Sequence, residues 1–215
     1  FVGSRGLGDV YKRQEYACED ISGVSASQVE MNSGLQFYDG MTTDEIQQIL
    51  IKSASDLISL ENPNYQYVAA RLLLYSLRKQ IFRRLWDHPH IYDHVKKCVD
   101  LGVYDSEILN WYDKKDFDRM ENWVTHERDY DFTYAGLRQV IDKYLVQDRS
   151  TGEVFETPQF MYMMISATLF AKYPKNKRMS YVKKYYDAIS KFKINIPTPV
   201  MACLLYTSPS PRDPT

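Results

Sequence analysis

Two helical patterns follow each other between Phe37 and Phe82. In the first, apolar residues recur at helical spacing and form one stripe, which predicts an amphipathic helix: Ile46, Ile49, Leu50, Ala54 and Leu57. Thr42-Thr43-Asp44-Glu45 precedes the stripe and fits a capping box. We expect this helix to stop before Glu61-Asn62-Pro63, because a residue ahead of proline is pushed out of the α region. In the second pattern, about 64–85, apolar residues cover most of the circumference, which is typical of a helix packed inside a bundle.

The rest of the chain continues this helical pattern and has one hairpin signal. Further helices are predicted from a Ser25 start and over 91–101, 105–112, 116–126, 132–144 with Asp131 as cap, 160–171 and 179–192. A turn, Arg149-Ser150-Thr151-Gly152, separates two short apolar runs and predicts a β-hairpin over 145–155. Pro158 fits the first position of the following helix. The predicted fold class is therefore mainly α with one small β-hairpin.

Composition narrows the class of protein. The formal net charge is -1 and 44% of the residues are hydrophobic, which argues against a general nucleic-acid surface. No apolar run is long enough to span a bilayer, and no N-terminal signal region is present. Cys18, Cys98 and Cys203 lack metal-ligand spacing and are odd in number. They indicate a reducing cytoplasm.

Two cations, Arg78 and Lys79, interrupt the apolar second helix. They could bind a phosphate. They could equally form internal ion pairs with Asp44, Glu45 or Asp56 of the preceding helix. The residues by themselves leave both interpretations open.

Two other sets of polar residues are predicted to be ordinary surface residues. His90 and His94 are four residues apart, but without a third ligand we expect two solvated histidines rather than a metal site. Glu127, Asp129 and Asp131 alternate along a loop, and we expect caps and solvated charges rather than an acid–base pair.

The two ends have an unusual relation at the level of DNA. A coding sequence for Ser4 to Gln14, reverse-complemented and shifted by one base, encodes Cys203 to Arg212. We therefore expect 1–14 and 203–215 to derive from a translated sequencing adapter, and they are excluded from fold reasoning. The native sequence would then run over 15–202, as a fragment open at both ends.

Within that span the chain resembles the N-terminal part of the large (α) subunit of class Ia ribonucleotide reductases. The blocks that carry the resemblance are SASQVE, QFYDGMTTDEI, IKSASDLIS, NYQYVAARL, LRKQ, YDHV, DFTYAGLRQ, DKYLVQDRSTGEVFETPQFMYM and YYDAISKFKINIPTPVMA. The resemblance implies that 15–85 is a partial ATP cone, the module that senses ATP against dATP. It implies that 86–202 is the helical domain preceding the family's α/β barrel, which is missing here.

The resemblance also implies site residues. The effector-binding Thr and Lys of the cone fall on Thr43 and Lys79. The cone's His falls on Gln47, a departure from the family pattern, and the strand pair that closes the site is missing. The Thr of the Pro-Thr-Pro segment, which touches the substrate diphosphate, falls on Thr198. The catalytic cysteines lie beyond Ala202, so no catalytic residue is expected in this chain.

By this resemblance the function is the reduction of ribonucleoside diphosphates to deoxyribonucleoside diphosphates for DNA synthesis, and the fragment by itself is expected to be inactive. The implied partners are a small β subunit that carries the di-iron tyrosyl radical, thioredoxin or glutaredoxin, the diphosphate substrate and a second large subunit. ATP or dATP is the implied effector, with no metal, nucleic acid or membrane bound by this chain, and the expected location is cytoplasmic. The alternative function is a non-catalytic ATP/dATP-sensing helical module, which would not need 86–202. A generic helical interaction protein would leave the family blocks unexplained.

Overall fold

A computed structural model gives the fold and describes residues 12–34, 36–38, 40–84, 87–148, 150–198 and 200. The chain divides into two compact units. The first comprises Phe1–Leu85 with Asp129–Gln139, and the second comprises Trp86–Arg128 with Val140–Thr215. Only the described residues of each unit are discussed. The predicted adapter segments fall largely outside them, apart from 12–14, which begin a helix.

Four helices precede residue 85 in the first unit. They are α1 over residues 12–18, α2 Ala26–Gly34, α3 Thr43–Asp56 and α4 Tyr65–Phe82. Helix α3 packs against both α2 and α4. The predicted order of α2, α3 and α4 is confirmed.

Helix α4 forms the core of the first unit. Val68 and Leu72 lie four positions apart on one side of the helix, and Leu74 lies on nearly the opposite side, yet all three are fully buried. Each such side chain stabilises the fold by about 2 kcal/mol through its burial. The prediction of a helix that is apolar on nearly every side is therefore confirmed.

The ends of these helices differ slightly from the prediction. Helix α3 ends at Asp56, with Leu57 as its C-cap, several residues before the proline signal. Helix α4 ends at Phe82 because Arg83 adopts a left-handed conformation with φ 58°. The predicted end of α4, Leu85, lies outside the described residues.

The remaining elements are also mostly helical. They are α5 Ile91–Asp100, α6 Glu107–Trp111, α7 Lys114–Glu121, a 3-10 helix His126–Asp131, α8 Tyr134–Lys143, strand β1 Gln147–Asp148, strand β2 Glu153–Val154, α9 Pro158–Phe170 and α10 Lys175–Ser190. In the second unit α5 packs against α7, and α9 packs against α10. The described residues are thus mainly helical with one hairpin, as predicted.

One predicted helix cap was wrong. Asp131 was expected to cap the helix over 132–144, but it ends the 3-10 helix instead. Thr133 takes that place, because its Oγ1 accepts a hydrogen bond of 3.2 Å from the amide of Gly136. Helix α8 accordingly begins at Tyr134.

The hairpin has the predicted position. Gln147 pairs with Val154 and Asp148 with Glu153 in antiparallel register. Gly152 closes the turn with φ +73°, a conformation that favours glycine. The carboxylate of Asp148 accepts hydrogen bonds from the hydroxyl and the amide of Ser150, which lower its pKa.

Helix α9 is the central element of the second unit. It starts with Pro158 at its first position, as predicted, and it is buried from Pro158 through Ala167. Helix α10 starts directly after Pro174, four residues earlier than the predicted Met179. Among the described residues, no helix combines the length and apolarity needed to cross a membrane.

Candidate functional site

The start of α3 is fixed by its capping box. Thr42 Oγ1 accepts a hydrogen bond of 3.2 Å from the amide of Glu45, and the Glu45 carboxylate accepts one of 2.8 Å from the amide of Thr42. The hydrogen bonds from Thr42 lower the pKa of the Glu45 carboxyl. The predicted box is confirmed, and it sets the direction in which the first turn of α3 projects its side chains.

The two predicted effector residues lie side by side. The Lys79 ammonium of α4 donates a hydrogen bond of 3.2 Å to Thr43 Oγ1 at the start of α3. The same ammonium lies 2.8 Å from the Asp44 carboxylate. Lys79 is about one-third exposed and Asp44 is mostly exposed, so solvent reaches both groups. The structure therefore contains an ion pair between Lys79 and Asp44, which was one of the two interpretations of the α4 cations. This pair lies at the position that the family resemblance assigns to the effector.

Gln47, one turn further along α3, has a structural role here. Its side chain is buried, and its Nε2 donates a hydrogen bond of 2.9 Å to the backbone carbonyl of Leu72 in α4. Its Oε1 accepts a hydrogen bond of 3.1 Å from the guanidinium of Arg13. The amide thus joins α3 to the middle of α4 instead of facing solvent.

Arg78, the neighbour of Lys79, points into the first unit. Its guanidinium lies 3.7 Å from the Asp129 carboxylate and donates a hydrogen bond of 3.2 Å to the Tyr130 hydroxyl. Arg78 is 2% exposed and Asp129 is 1% exposed. The expectation that Asp129 is a solvated charge was wrong, and the partner of Arg78 is none of the three α3 carboxylates considered for it. Sequence reasoning missed the pair because the segment Asp129–Gln139 returns to the first unit only in the fold.

Tyr130 adds a cation–aromatic contact to the same cluster. The guanidinium carbons of Arg71 and Arg78 each lie 5.3 Å from the centre of its ring. Arg71 also donates a hydrogen bond of 2.6 Å to the carbonyl of Glu19. These contacts tie α4 to the segment after α1 and to the 3-10 helix, so both arginines are engaged in the fold.

Thr198, the predicted substrate contact, is exposed in the second unit. Its Oγ1 lies 3.2 Å from the hydroxyl of Tyr144, at hydrogen-bonding distance. The pair holds the segment after α10 near the end of α8.

The two histidines differ from the expectation of solvated side chains. His94 is 4% exposed and stacks on Phe160, with ring centres 4.7 Å apart. Burial lowers its pKa to about 3, with the nearby Lys97 charge adding to the effect, so the ring is neutral at physiological pH. His90 caps α5 by accepting a hydrogen bond of 3.2 Å from the amide of Tyr92. In the described part of the chain, no group of three or more His, Cys, Asp or Glu side chains is arranged to hold a metal ion.

A buried carboxyl in the second unit was not predicted at all. Glu156 is fully buried, and its side chain accepts hydrogen bonds from the Tyr104 hydroxyl and from the amide of Val146, the latter at 2.9 Å. Burial raises its pKa to about 7, although both hydrogen bonds act in the opposite direction. Its signal in the sequence was an acidic residue directly before the apolar helix α9, where a solvated charge has no room.

Comparison with known proteins places this architecture in a family. Residues 130–206 match the family described as "Ribonucleotide reductase, all-alpha domain". The chain belongs to the ribonucleotide reductases. Its relatives are, more particularly, the alpha subunits of ribonucleoside-diphosphate reductase.

Three of these relatives illustrate the similarity. The ribonucleoside-diphosphate reductase subunit alpha of Haemophilus influenzae is 47% identical over 196 residues, and the ribonucleoside-diphosphate reductase 1 subunit alpha of Escherichia coli K12 is 45% identical over the same length. Each alignment covers 91% of this chain and 26% of the relative. The alpha subunit of Enterobacteria phage T4 is 43% identical over 182 residues, which are 84% of this chain and 24% of the relative. The chain therefore spans about a quarter of the length of the curated relatives it matches.

Proposed function

We propose that this chain is part of a subunit that reduces ribonucleoside diphosphates, and that its first unit senses ATP against dATP. The observation that supports this most is the distance of 3.2 Å between the Lys79 ammonium and Thr43 Oγ1. A lysine ammonium and a hydroxyl beside the N-terminus of α3 offer charge and hydrogen bonds to phosphate oxygens. The helix dipole of α3 adds a favourable field for an anion at this place.

Asp44 has a definite part in this proposal. Its carboxylate holds the Lys79 ammonium at 2.8 Å, and a phosphate group that binds Lys79 has to replace it. Because both groups are exposed to solvent, the ion pair is worth at most about 1 kcal/mol and can be displaced. Gln47 is already hydrogen-bonded to Leu72, so we propose that it contributes to the shape of the site and not to nucleotide contacts.

Titration with ATP tests the effector site. We expect Lys79→Ala to weaken ATP binding about tenfold, because it removes a charge-assisted contact to phosphate. NMR chemical-shift titration suits the measurement, since it also detects weak binding. Lys52→Ala, an exposed lysine further along α3, is the matched control and should bind like the unchanged protein. Equal ATP affinities of the Lys79 and Lys52 variants would contradict the proposed site.

For the complete subunit we propose the activity of its relatives. The radical would come from a small di-iron subunit and the electrons from thioredoxin or glutaredoxin, with two large subunits forming a dimer. Thr198, next to Tyr144, would contact the substrate diphosphate. The family match over 130–206 favours this function over a free-standing regulatory module, which would have no use for an all-alpha reductase domain.

We propose that the 215-residue chain by itself does not turn over substrate. Burial raises the pKa of the Cys18 thiol to about 11 and that of the Cys98 thiol to about 12. Both thiols therefore stay protonated at neutral pH and are poor redox groups. Free thiols also fit a reducing cytoplasm. Incubation with cytidine diphosphate and dithiothreitol should yield no deoxycytidine diphosphate, and product formed by the purified chain would refute this proposal.

A further inference from the structure

The second unit exposes a cluster of aromatic rings where α9 ends and α10 begins. Phe170 stacks on Tyr181, with ring centres 5.5 Å apart and planes inclined by 20°. Tyr173 meets both rings edge-on, at 5.1 and 5.2 Å, and Tyr185 meets Phe170 at 5.7 Å. Tyr173 is 46% exposed and Tyr181 is 41% exposed. Exposed apolar groups that cluster in this way mark interaction surfaces more often than singly scattered ones do.

Several lysines lie close in sequence to these rings and have no ionic partner among the described residues. Four lysines of this segment are exposed and form no ion pair with any described residue: Lys172, Lys175, Lys177 and Lys184. Other cations of α10 are neutralised, since Lys183 pairs with Asp187 at 2.8 Å and Arg178 pairs with Asp116 at 3.1 Å. The sequence contains no acidic residue between Glu156 and Asp187, although the whole chain has a net charge of -1. The positive charge is therefore a local feature that the fold does not use.

Helix geometry places part of this charge next to the rings. Lys177, Tyr181 and Lys184 are spaced at i, i+4 and i+7, so they share one side of α10. The side of α10 that packs into the unit carries Met179, Val182 and Ile189, all of them buried. We call the rings of Phe170, Tyr173, Tyr181 and Tyr185 together with the four unpaired lysines the tyrosine–lysine face.

We propose that the tyrosine–lysine face docks an acidic peptide segment of a partner protein. Aspartate or glutamate side chains of that segment would pair with the lysines, and an apolar or aromatic side chain would lie against the tyrosine rings. Tyrosine suits such a contact, because it offers a large apolar surface and a hydroxyl with little loss of side-chain freedom. The hydroxyls of Tyr173 and Tyr181 make no hydrogen bond to a described residue and are available to the partner.

Two other polyanions fit this face less well. Single-stranded nucleic acid needs open ring faces on which its bases stack, whereas Phe170 and Tyr181 cover each other. An acidic lipid surface needs a helix with a free apolar side to insert, whereas α10 buries its apolar side in the unit. A peptide can use ring edges, hydroxyls and ammonium groups at the same time.

Fluorescence anisotropy with a defined probe tests the proposal. The probe is a labelled synthetic peptide in which glutamate alternates with phenylalanine, and its neutral counterpart carries glutamine for glutamate. We expect saturable binding of the acidic peptide only, weakened by high salt because the contacts are charged. Lys177→Glu with Lys184→Glu should weaken binding at least about tenfold, because each reversal replaces attraction by repulsion. The matched control reverses two exposed lysines elsewhere, Lys52→Glu with Lys96→Glu, and should stay within about twofold by the same reasoning.

Several outcomes would overturn the proposal. They are the absence of saturable binding, equal losses in the two double variants, and tighter binding to single-stranded oligothymidine or to phosphatidylserine vesicles than to the acidic peptide. Tyr181→Ser separates the aromatic contribution and should also weaken binding. Circular dichroism shows whether each variant is folded. A last test uses a subunit completed to the length of its relatives, before any peptide is added. If Lys177 and Lys184 are protected from acetylation in it, the subunit covers this face itself, and the proposal is likewise overturned.

Discussion

Glu156 and His94 should give the second unit opposing responses to pH, and replacing Glu156 should uncover the response of His94. Burial raises the pKa of Glu156 from 4.5 to about 7, and it lowers the pKa of His94 from 6.5 to about 3. Between about pH 3 and pH 7 both groups are therefore mainly neutral inside the folded unit. Their neighbours are Tyr104, which donates a hydrogen bond to Glu156, and the Cys98 thiol, 3.6 Å from the His94 ring.

The signs of the two effects follow from which state binds the proton. Between pH 4.5 and 7, folded Glu156 keeps a proton that the unfolded chain releases, so its stabilising contribution is complete below pH 4.5 and is lost as the pH rises through 7. Between pH 3 and 6.5, His94 binds a proton in the unfolded chain but not in the folded unit. Its contribution to stability is therefore complete above pH 6.5 and is lost as the pH falls toward 3.

The two slopes cancel where these ranges overlap. Each group changes the free energy of unfolding by about 1.4 kcal/mol per pH unit, with opposite signs, between pH 4.5 and 6.5. Glu156→Gln keeps the shape of the side chain and removes its titration. The variant should therefore gain roughly 3 kcal/mol of stability, relative to the unchanged protein, as the pH rises across this range.

Urea unfolding at a series of pH values measures this difference. All three tryptophans, Trp86, Trp111 and Trp123, belong by sequence to the second unit, so their fluorescence reports on it without interference from the first unit. His94→Phe should give the reverse slope, and the double variant should restore the profile of the unchanged protein. If the Glu156→Gln profile runs parallel to that of the unchanged protein, Glu156 is not protonated in the fold and the reasoning fails.

Three further substitutions probe the first unit. Asp129→Ala should lower the free energy of unfolding by about 3 kcal/mol in urea denaturation followed by circular dichroism, because it leaves the buried Arg78 charge without its carboxylate. A loss below about 1 kcal/mol would show that the pair contributes little. Thr42→Ala should cost about 1 kcal/mol in the same assay through loss of the α3 cap, and an unchanged midpoint would contradict the role of the capping box. Asp44→Asn should strengthen ATP binding about threefold in the NMR titration, because it frees the Lys79 ammonium from a competing carboxylate, and weaker binding would show that Asp44 supports the site.

Most of the features that were predicted correctly from the sequence depend on local signals. The capping box at Thr42, the proline at the first position of α9 and the turn at Gly152 each depend on a few consecutive residues, and the structure has all three. The apolar circumference of α4 likewise follows from one continuous segment. Such features need no knowledge of which distant segments meet.

The errors and the omission of Glu156 concern residues whose surroundings come from elsewhere in the chain. Asp129 was expected to be a cap or a solvated charge because it alternates with Glu127 and Asp131 along a predicted loop, yet the fold brings it to α4. His94 lies on a helix with an exposed side, but α9 covers it with Phe160. Glu156 acquires its buried partner Tyr104 from a segment 52 positions earlier. In each case burial is set by a contact between distant segments, which periodicity within one helix cannot reveal.

The two cations of α4 show why adjacent residues of the same charge can differ in role. Consecutive side chains on an α-helix point about 100° apart, so Arg78 and Lys79 cannot both face α3. Arg78 points toward Asp129 and is buried, whereas Lys79 points toward Thr43 and remains accessible. Only Lys79 can exchange a carboxylate for a phosphate without leaving a buried charge uncompensated. The effect of replacing Lys79 should therefore appear in ligand binding, and the effect of replacing Arg78 should appear in stability.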